Sequence, residues 1–559
     1  MDVNLFYKKY FNIDAIFSHQ QEMWEQVNKN RFPILLKAPT GSGKTEAIIA
    51  PFLKQFIDNK FCIAPRLIYV LPMRGLVNSI AERIKSYTEK ISKNISVEIQ
   101  HGDIPNAPFF IADIVVTTLD QFFYGFARAC NQVGRHIDMP AGSIASSMVV
   151  FDEAHMYRDE FTFSIMRALI EILQKCHITF IIMTATMPKS LEESLFEDQE
   201  LFNEVTSITG DIPFKSDIKI TLENEPLYTY EEVCISEKLL NKIKEHKTLI
   251  VVNQVKRAQK IYDEIKERLR LTESEIVLLH SRFTRIDRMH HEAKAISMIP
   301  HKKEGKKIFP KGTGIVVSTQ VLEAGIDFSA NLLITELAPA DSLIQRAGRC
   351  SRYEGESGEI IVFPVDNERG YLPYKKEHLE RTFNYLKSNF NFNIKDFEQV
   401  CNFVNILDYK ANDFEARDTL IDLYECVLYA DNIPTNIQVR KSKPVTLVVL
   451  DIPEGVRINE SLIKELILKT DLKEHSITVN TDIAWSLFNN EGIDIQWEIK
   501  KWNYNEKLKK FEPVIIDIMK SKKIKTTEDE RIGPFRTYII NRKNYEKNKG
   551  IVPDVSLII

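Results

Sequence analysis

The amino-acid sequence predicts an α/β protein: two parallel-sheet domains in tandem, then a helical linker and a C-terminal accessory domain. Three observations carry the expectation. Short β-branched or aliphatic runs alternate with helix-like stretches, the alternation breaks around residues 206–232 and restarts, and beyond about residue 366 it yields to helical, aromatic-rich sequence.

In the first domain, residues 1–207, the strand-like runs are PILLKA at 33–38, RLIYVL at 66–71, ADIVVT at 112–117, MVVFD at 148–152 and TFIIMT at 179–184, with helix-like stretches at 45–58 and 160–175. Gly210, Pro213 and Pro226 mark the break. The second domain, 208–365, resumes with TLIVVN at 248–253, EIVLLH at 275–280, GIVVST at 314–319, LLITEL at 332–337 and EIIVFP at 359–364. The linker, 366–440, contains Tyr371, Tyr374, Phe383, Tyr385 and Phe390, and the run PVTLVVLDIP from Pro444 opens the accessory domain, 441–559.

Composition bounds the function. At ~100 to 200 residues per domain, a chain of 559 residues expects three or four folded units. Hydrophobic residues at 44% and charged residues at 27% exclude a disordered tail, and no apolar window approaches the ~18 residues that span a bilayer. The formal net charge of −4 means that any grip on nucleic acid uses local patches. Seven scattered cysteines with no C-x-x-C pair argue against zinc ribbons and a disulfide framework, so a reducing cytoplasm is the expected location.

One local patch stands out. Residues 500–549 hold 15 Lys or Arg against 7 Asp or Glu, interleaved with Trp502, Tyr504, Phe511, Phe535, Tyr538 and Tyr545. Such a segment suits a nucleic-acid strand, since lysines neutralise phosphates and aromatics stack on bases; a solvated surface with core aromatics accounts for it equally well. The run KKEGKKIFPK at 302–311 is expected to be an exposed loop.

Two motifs carry chemistry. APTGSGKT at 38–45 follows a predicted strand and precedes a predicted helix. Ala38, Pro39, Thr40, Gly41, Ser42 and Gly43 form a turn whose backbone amides can wrap a polyphosphate, Lys44 neutralises its β and γ oxygens, and Thr45 offers a hydroxyl to magnesium. A Gly-rich structural turn leaves the Lys-Thr pair unexplained. MVVFDEAH at 148–155 puts Asp152 and Glu153 at the end of an apolar strand, where parallel sheets hold ligands. One carboxylate can hold magnesium while its neighbour orients and deprotonates the attacking water. ATP and magnesium are therefore the expected cofactors, with Thr45 and Asp152 as candidate metal ligands.

Further segments fall in order on the pattern of a superfamily two helicase. YVLPMRGL at 69–76, VVTTLDQFF at 115–123, TATMP at 184–188, VVNQVKRAQ at 251–259, STQVLEAGID at 318–327 and QRAGRCSR at 345–352 resemble its motifs Ia, Ib, III, IV, V and VI, and Gln20 in FSHQQEMW resembles its adenine-reading glutamine. APTGSGKTEA, LLHSRFTRIDR at 278–288, STQVLEAGIDF and TELAPADSLIQRAGRCSRY at 335–353 resemble, more closely, the CRISPR-associated helicases of type I interference systems. The resemblance implies two RecA-like lobes that clamp ATP, with Gln345, Arg346, Arg349 and Arg352 on the second lobe stabilising the transferred phosphoryl group and with Gly325 and Asp327 near the ribose and γ-phosphate. It also implies single-stranded DNA held near Arg74, Thr118, Asn253 and Thr319, although Arg74 also suits an ordinary surface and the threonines suit caps.

Many members of that family begin with a metal-dependent HD nuclease domain. Here none of the 12 histidines precedes Asp, and the adjacent His290 and His291 are expected to be satisfied by their surroundings. The resemblance therefore implies a DEAH-type motor that unwinds DNA 3′ to 5′ in antiviral defence without cutting it, with a separately encoded HD nuclease and a CRISPR surveillance complex as partners. Two other readings remain: a motor acting on RNA or in DNA repair, and a scaffold using ATP as a structural ligand.

Overall fold

The computed structural model describes residues 2–553 except 103, 158–159, 186, 197–201, 211–216, 230–231, 304–305, 324–327, 354, 367–369, 390, 410–412, 430–442, 454, 457, 492, 506–508 and 519–531. The chain forms two compact units: Met1–Ile218 with Ala338–Ser357 and Tyr374–Lys441, and Lys219–Leu337 with Gly358–Pro373 and Ser442–Ile559. Each unit thus interleaves segments of the domains expected along the sequence, and each contains a RecA-like parallel sheet.

The first unit is built on eight strands: β1 (Ile34–Lys37), β2 (Arg66–Leu71), β3 (Val97–His101), β4 (Ile104–Pro105), β5 (Ile114–Thr118), β6 (Ser147–Phe151), β7 (Phe180–Thr184) and β8 (Thr206–Thr209). Their order is β4-β3-β5-β2-β6-β7-β1-β8, and every described pairing is parallel except β3 with β4. Because helices cover both faces, the strands read as continuous apolar runs, and β2, β5, β6 and β7 are almost wholly buried. Strand β3 (VEIQH) escaped the sequence pattern because its polar Glu98, Gln100 and His101 break the apolar run. The helices Lys376–Ser388, Phe397–Val404 and Asp413–Leu423 of the linker belong to this unit. Asn405 caps there by accepting from the Lys189 amide at 2.9 Å, and the Cys426 carbonyl accepts from Arg128 at 2.6 Å.

The second unit has a six-stranded sheet, β9 (Asp217–Leu222), β10 (Lys247–Val251), β11 (Ile276–Leu279), β12 (Gly314–Ser318), β13 (Leu332–Glu336) and β14 (Ser357–Phe363), ordered β11-β12-β10-β13-β14-β9. Its C-terminal part has a five-stranded mixed sheet, β15 (Pro444–Leu450), β16 (Ser476–Asn480), β17 (Ile495–Asn505), β18 (Lys510–Asp517) and β19 (Thr537–Asn541), ordered β16-β15-β19-β17-β18. The segment at 302–311 is a short antiparallel hairpin pairing His301–Lys303 with Lys306–Ile308, where the sequence suggested a loop.

One apolar cluster joins the two sheets of this unit, running from Ile250, Leu278 and Ile334 to Leu447, Tyr538 and Ile551. Polar contacts fix the register. The Tyr545 hydroxyl donates to Asp287 at 2.6 Å and accepts from the Thr284 amide at 3.0 Å. His280 Nε2 lies 2.9 Å from the Lys549 carbonyl, and burial drives its pKa down to about 3, so the ring is neutral and donates. Gly550 sits at φ 75°, and a Cβ there would strike the Arg282 carbonyl. The phrase LLHSRFTRIDR is thus a docking surface for the C-terminal part. His291 Nδ1 is 2.7 Å from the Leu278 carbonyl, which matches the expected structural role.

Candidate active site

The first unit gathers the phosphate loop, the paired acids and the arginine-rich motif in one body. The loop leaves β1 and opens the helix Lys44–Asp58, with Gly41 and Gly43 at φ 86° and 77°. A Cβ on Gly43 would run into the Gln20 amide, so the loop's path depends on that glycine. Lys44 folds back on the loop, donating to the Ala38 and Pro39 carbonyls at 2.9 and 3.2 Å. Those are bonds a phosphate can displace. Ser42 Oγ, within the loop, is buried with no hydrogen-bond partner, which leaves it free to meet a polar ligand.

Gln20 is 1% exposed and holds the loop directly: its Nε2 donates to the Gly43 carbonyl at 3.1 Å while its Oε1 accepts from the Phe17 amide at 3.0 Å. His19 adds a contact of 3.0 Å to the Ser42 carbonyl, and burial lowers its pKa to about 4, so it supports the loop as a neutral ring. The helix after the loop is fastened through Glu46, which accepts from Tyr87 at 2.6 Å and pairs with Arg83 at 2.5 Å.

The acids stand at the C-terminal end of β6. Tyr69 on neighbouring β2 donates to Asp152 Oδ2 at 2.6 Å and lies 3.4 Å from Thr45 Oγ1, bridging the two candidate magnesium ligands. Burial first, then the charge of Glu153, push Asp152 up to about 6 against the pull of Lys44. A buried acid so poised suits an incoming cation, which returns it to the charged form. Glu153 takes the left-handed backbone at φ 52°, and its Oε2 is buried without a hydrogen-bond partner, 3.5 Å from His155 Nδ1. A strained backbone and an orphaned carboxylate oxygen together mark a group kept for chemistry. His155 Nδ1 also lies 3.1 Å from Thr184 Oγ1, which ties the DEAH segment to TATMP.

Gln345 and Arg346 lie on the helix Ala340–Ala347, and Arg349 and Arg352 follow in the loop beyond it. Arg346 is fully buried and donates to the Tyr374 hydroxyl at 2.9 Å, while Gln345 Nε2 is buried without a partner. Gly325, Asp327 and Thr186 lie outside the described residues. Of the proposed nucleic-acid contacts, Arg74 is exposed at the start of the helix Arg74–Ile91. Thr118 is 2% exposed and donates to Asp120 at 3.2 Å. In the second unit Asn253 and Thr319 are each 3% exposed, and Asn253 Nδ2 donates to the Leu337 carbonyl at 2.9 Å.

Sequence reasoning passed over Tyr69 and His19. Tyr69 sits inside an apolar strand pattern that gives no sign of its hydroxyl's direction; His19 adjoins Gln20, and that adjacency was the available signal. Among the described residues no group of three or more His, Cys, Asp or Glu is placed to hold a metal, and no helix is long and apolar enough to cross a membrane.

A DEAD/DEAH box helicase family model matches residues 17–194, and one for the C-terminal part of CRISPR-associated nuclease/helicase Cas3 matches 244–355. The CRISPR-associated helicase Cas3 of Thermoproteus tenax is 29% identical over 375 residues, 64% of this chain and 60% of its own. The CRISPR-associated nuclease/helicase Cas3 of Methanothermobacter thermautotrophicus is 28% identical over 382 residues, 62% of this chain and 42% of its own. The chain thus spans less than two thirds of the length of these relatives. The crystal structure of T. fusca Cas3-ADP matches with a TM-score of 0.64 at 20% identity, over 86% of this chain and 65% of that one, a likeness of fold.

Proposed function

Because the chain belongs to the CRISPR-associated helicases of superfamily two, an ATP-dependent class of nucleic-acid enzyme, we propose that it moves 3′ to 5′ along single-stranded DNA in a type I interference system and leaves cutting to a separately encoded HD nuclease. The observation that carries the motor reading is the buried Glu153 Oε2, without a hydrogen bond, next to Asp152 in the Thr45, Tyr69 and Asp152 cluster. A scaffold that merely held ATP has no use for a water-activating carboxylate.

In this reading Thr45 and Asp152 would hold magnesium, which would supply positive charge against the phosphates. Lys44 exchanges its loop carbonyls for the β and γ oxygens, Glu153 orients water, and Arg349 and Arg352 meet the charge that develops on the γ-phosphoryl group. The surveillance complex is the proposed recruiting partner, the cytoplasm the proposed location, and single-stranded DNA the track.

The deciding experiment is the steady-state ATPase rate of the chain alone, with single-stranded DNA and with single-stranded RNA, using Lys44→Ala as the inactive control. Strong stimulation by DNA is expected; equal rates in all three conditions sink the motor reading, and preference for RNA moves the task elsewhere. The same samples with manganese, nickel or cobalt should leave the DNA intact, and metal-dependent degradation would overturn the division of labour.

The raised pKa of Asp152 gives a second test. Burial and Glu153 raise the group's pKa, so the empty site holds a proton that magnesium nucleotide binding would displace, and more protons are released near pH 6 than at pH 8. Calorimetry in buffers of different ionisation enthalpy reads this, with Asp152→Asn subtracting the nucleotide's own protons. Equal release by wild type and variant at pH 6 contradicts it.

A further inference from the structure

Strand β17 carries an irregularity that changes what one face of the C-terminal sheet presents. Through Ile499 the strand is interior: Ile495 packs with Tyr538 and Ile540 on one face, and after a first register shift between Ile495 and Trp497, Trp497 and Ile499 pack with Ile515, Val448, Ile463 and Ile539 on the other. It pairs there with both β19 and β18. Beyond Ile499 only β18 remains as a partner, so residues 501–505 and 510–514 form a two-stranded ribbon. Between Ile499 and Lys501 the register shifts, because Lys500 is an extra residue with no opposite number.

An extra residue exchanges the two sides of everything after it. Without it, Lys501, Asn503 and Asn505 would continue the inward side. With it, Trp502 pairs with Pro513 and Tyr504 with Phe511, so these aromatics continue the side that carried Ile499 and Ile515. The core has ended by then. Trp502, Tyr504 and Phe511 are 42%, 53% and 59% exposed, and the rings of Tyr504 and Phe511 meet edge to face at 5.3 Å. Exposed lysines surround the ribbon: Lys500 at the bulge, Lys509 just before β18, and Lys501 on the ribbon's other side, opposite Val514. Phe535, 70% exposed, precedes β19 at the end of the sheet where Thr537 pairs with Ile499.

We propose that this ribbon is a stacking platform for the unpaired bases of a polynucleotide strand, with Trp502 and the Tyr504–Phe511 pair taking bases and Lys500, Lys501 and Lys509 taking phosphates. Charge complementarity selects the occupant: a protein groove fits apolar side chains, whereas exposed aromatic rings and exposed ammonium groups match a chain of alternating bases and phosphates. Of the six aromatics in the basic stretch, Tyr538 and Tyr545 are buried and serve the core, and the other four are the exposed ones. The proposal rests on the nucleic-acid motor reading and gives it a second contact, one independent of base identity because every base has a π face.

Binding of fluorescent 12-nucleotide DNA and RNA strands, and of a duplex, to the full chain without nucleotide tests it by anisotropy. Trp502→Ala/Tyr504→Ala/Phe511→Ala should weaken single-strand binding about 10- to 100-fold and leave duplex binding nearly unchanged. Lys500→Gln/Lys501→Gln/Lys509→Gln should flatten the log–log salt dependence by about 2. The cross-strand pair also steadies the ribbon, so single variants separate the roles: Trp502→Phe should bind as wild type, and Trp502→Leu, apolar but without a π face, should not. Wild-type affinity in the triple aromatic variant, or in Trp502→Leu, overturns the platform, the first also being the result if the ribbon docks a protein. Because no ATP is present, ribbon-dependent binding in a chain lacking DNA-stimulated hydrolysis refutes the motor alone, and DNA-stimulated hydrolysis with unchanged binding in the variants refutes the ribbon alone.

Discussion

Replacing Arg349 with alanine is expected to lower the kcat of ATP hydrolysis by about 10³ to 10⁵ while ATP still binds, because a guanidinium finger acts on charge that exists only in the transition state. Arg346, three residues earlier, should behave differently. It is fully buried and donates to Tyr374 at 2.9 Å, so its guanidinium is built into the packing of the helix Ala340–Ala347. Arg346→Met should cost about 2 to 4 kcal/mol of stability, since it strands polar partners in the interior, yet preserve kcat per folded molecule. Urea unfolding alongside single-turnover hydrolysis separates the two. If Arg349→Ala hydrolyses ATP within tenfold of wild type, the finger assignment fails, and if Arg346→Met folds normally but is inactive, the two roles are reversed.

The contrast between those arginines also shows where sequence reasoning stops. Motif spacing identifies QRAGRCSR as a unit, because a helix and the loop after it are local objects, but which guanidinium is swallowed depends on Tyr374, a residue 28 positions along the chain. The shape of the loop at 38–45 was legible for the same local reason: glycines that take positive φ lie with a lysine and a threonine in eight consecutive residues. The strand runs were legible because sheets buried on both faces are apolar throughout. Tyr69 was invisible, since its hydroxyl matters only once β2 lies beside β6. Which aromatics of the basic stretch are exposed was invisible too. Their side is decided by one unpaired lysine, and a periodic pattern cannot announce a shift in its own phase.

Glu153→Gln should lower kcat by about 10² to 10⁴ and leave the fold at least as stable as wild type. The substitution keeps the side chain's shape and removes only its charge and basicity. A carboxylate held for structure would be spent on partners; here Oε2 is buried without a hydrogen bond, on a residue at φ 52°, and both are costs to the empty protein. Removing the charge also relieves Asp152, whose pKa Glu153 raises, so the proton released on magnesium nucleotide binding at pH 6 should shrink. The variant should therefore accumulate with ATP bound and unhydrolysed, holding single-stranded DNA at near wild-type affinity. Stopped-flow nucleotide binding, quenched-flow hydrolysis and thermal melting measure the three quantities independently. A variant that hydrolyses normally assigns the water to another base, whereas one that melts early shows the orphaned oxygen to be part of the scaffold.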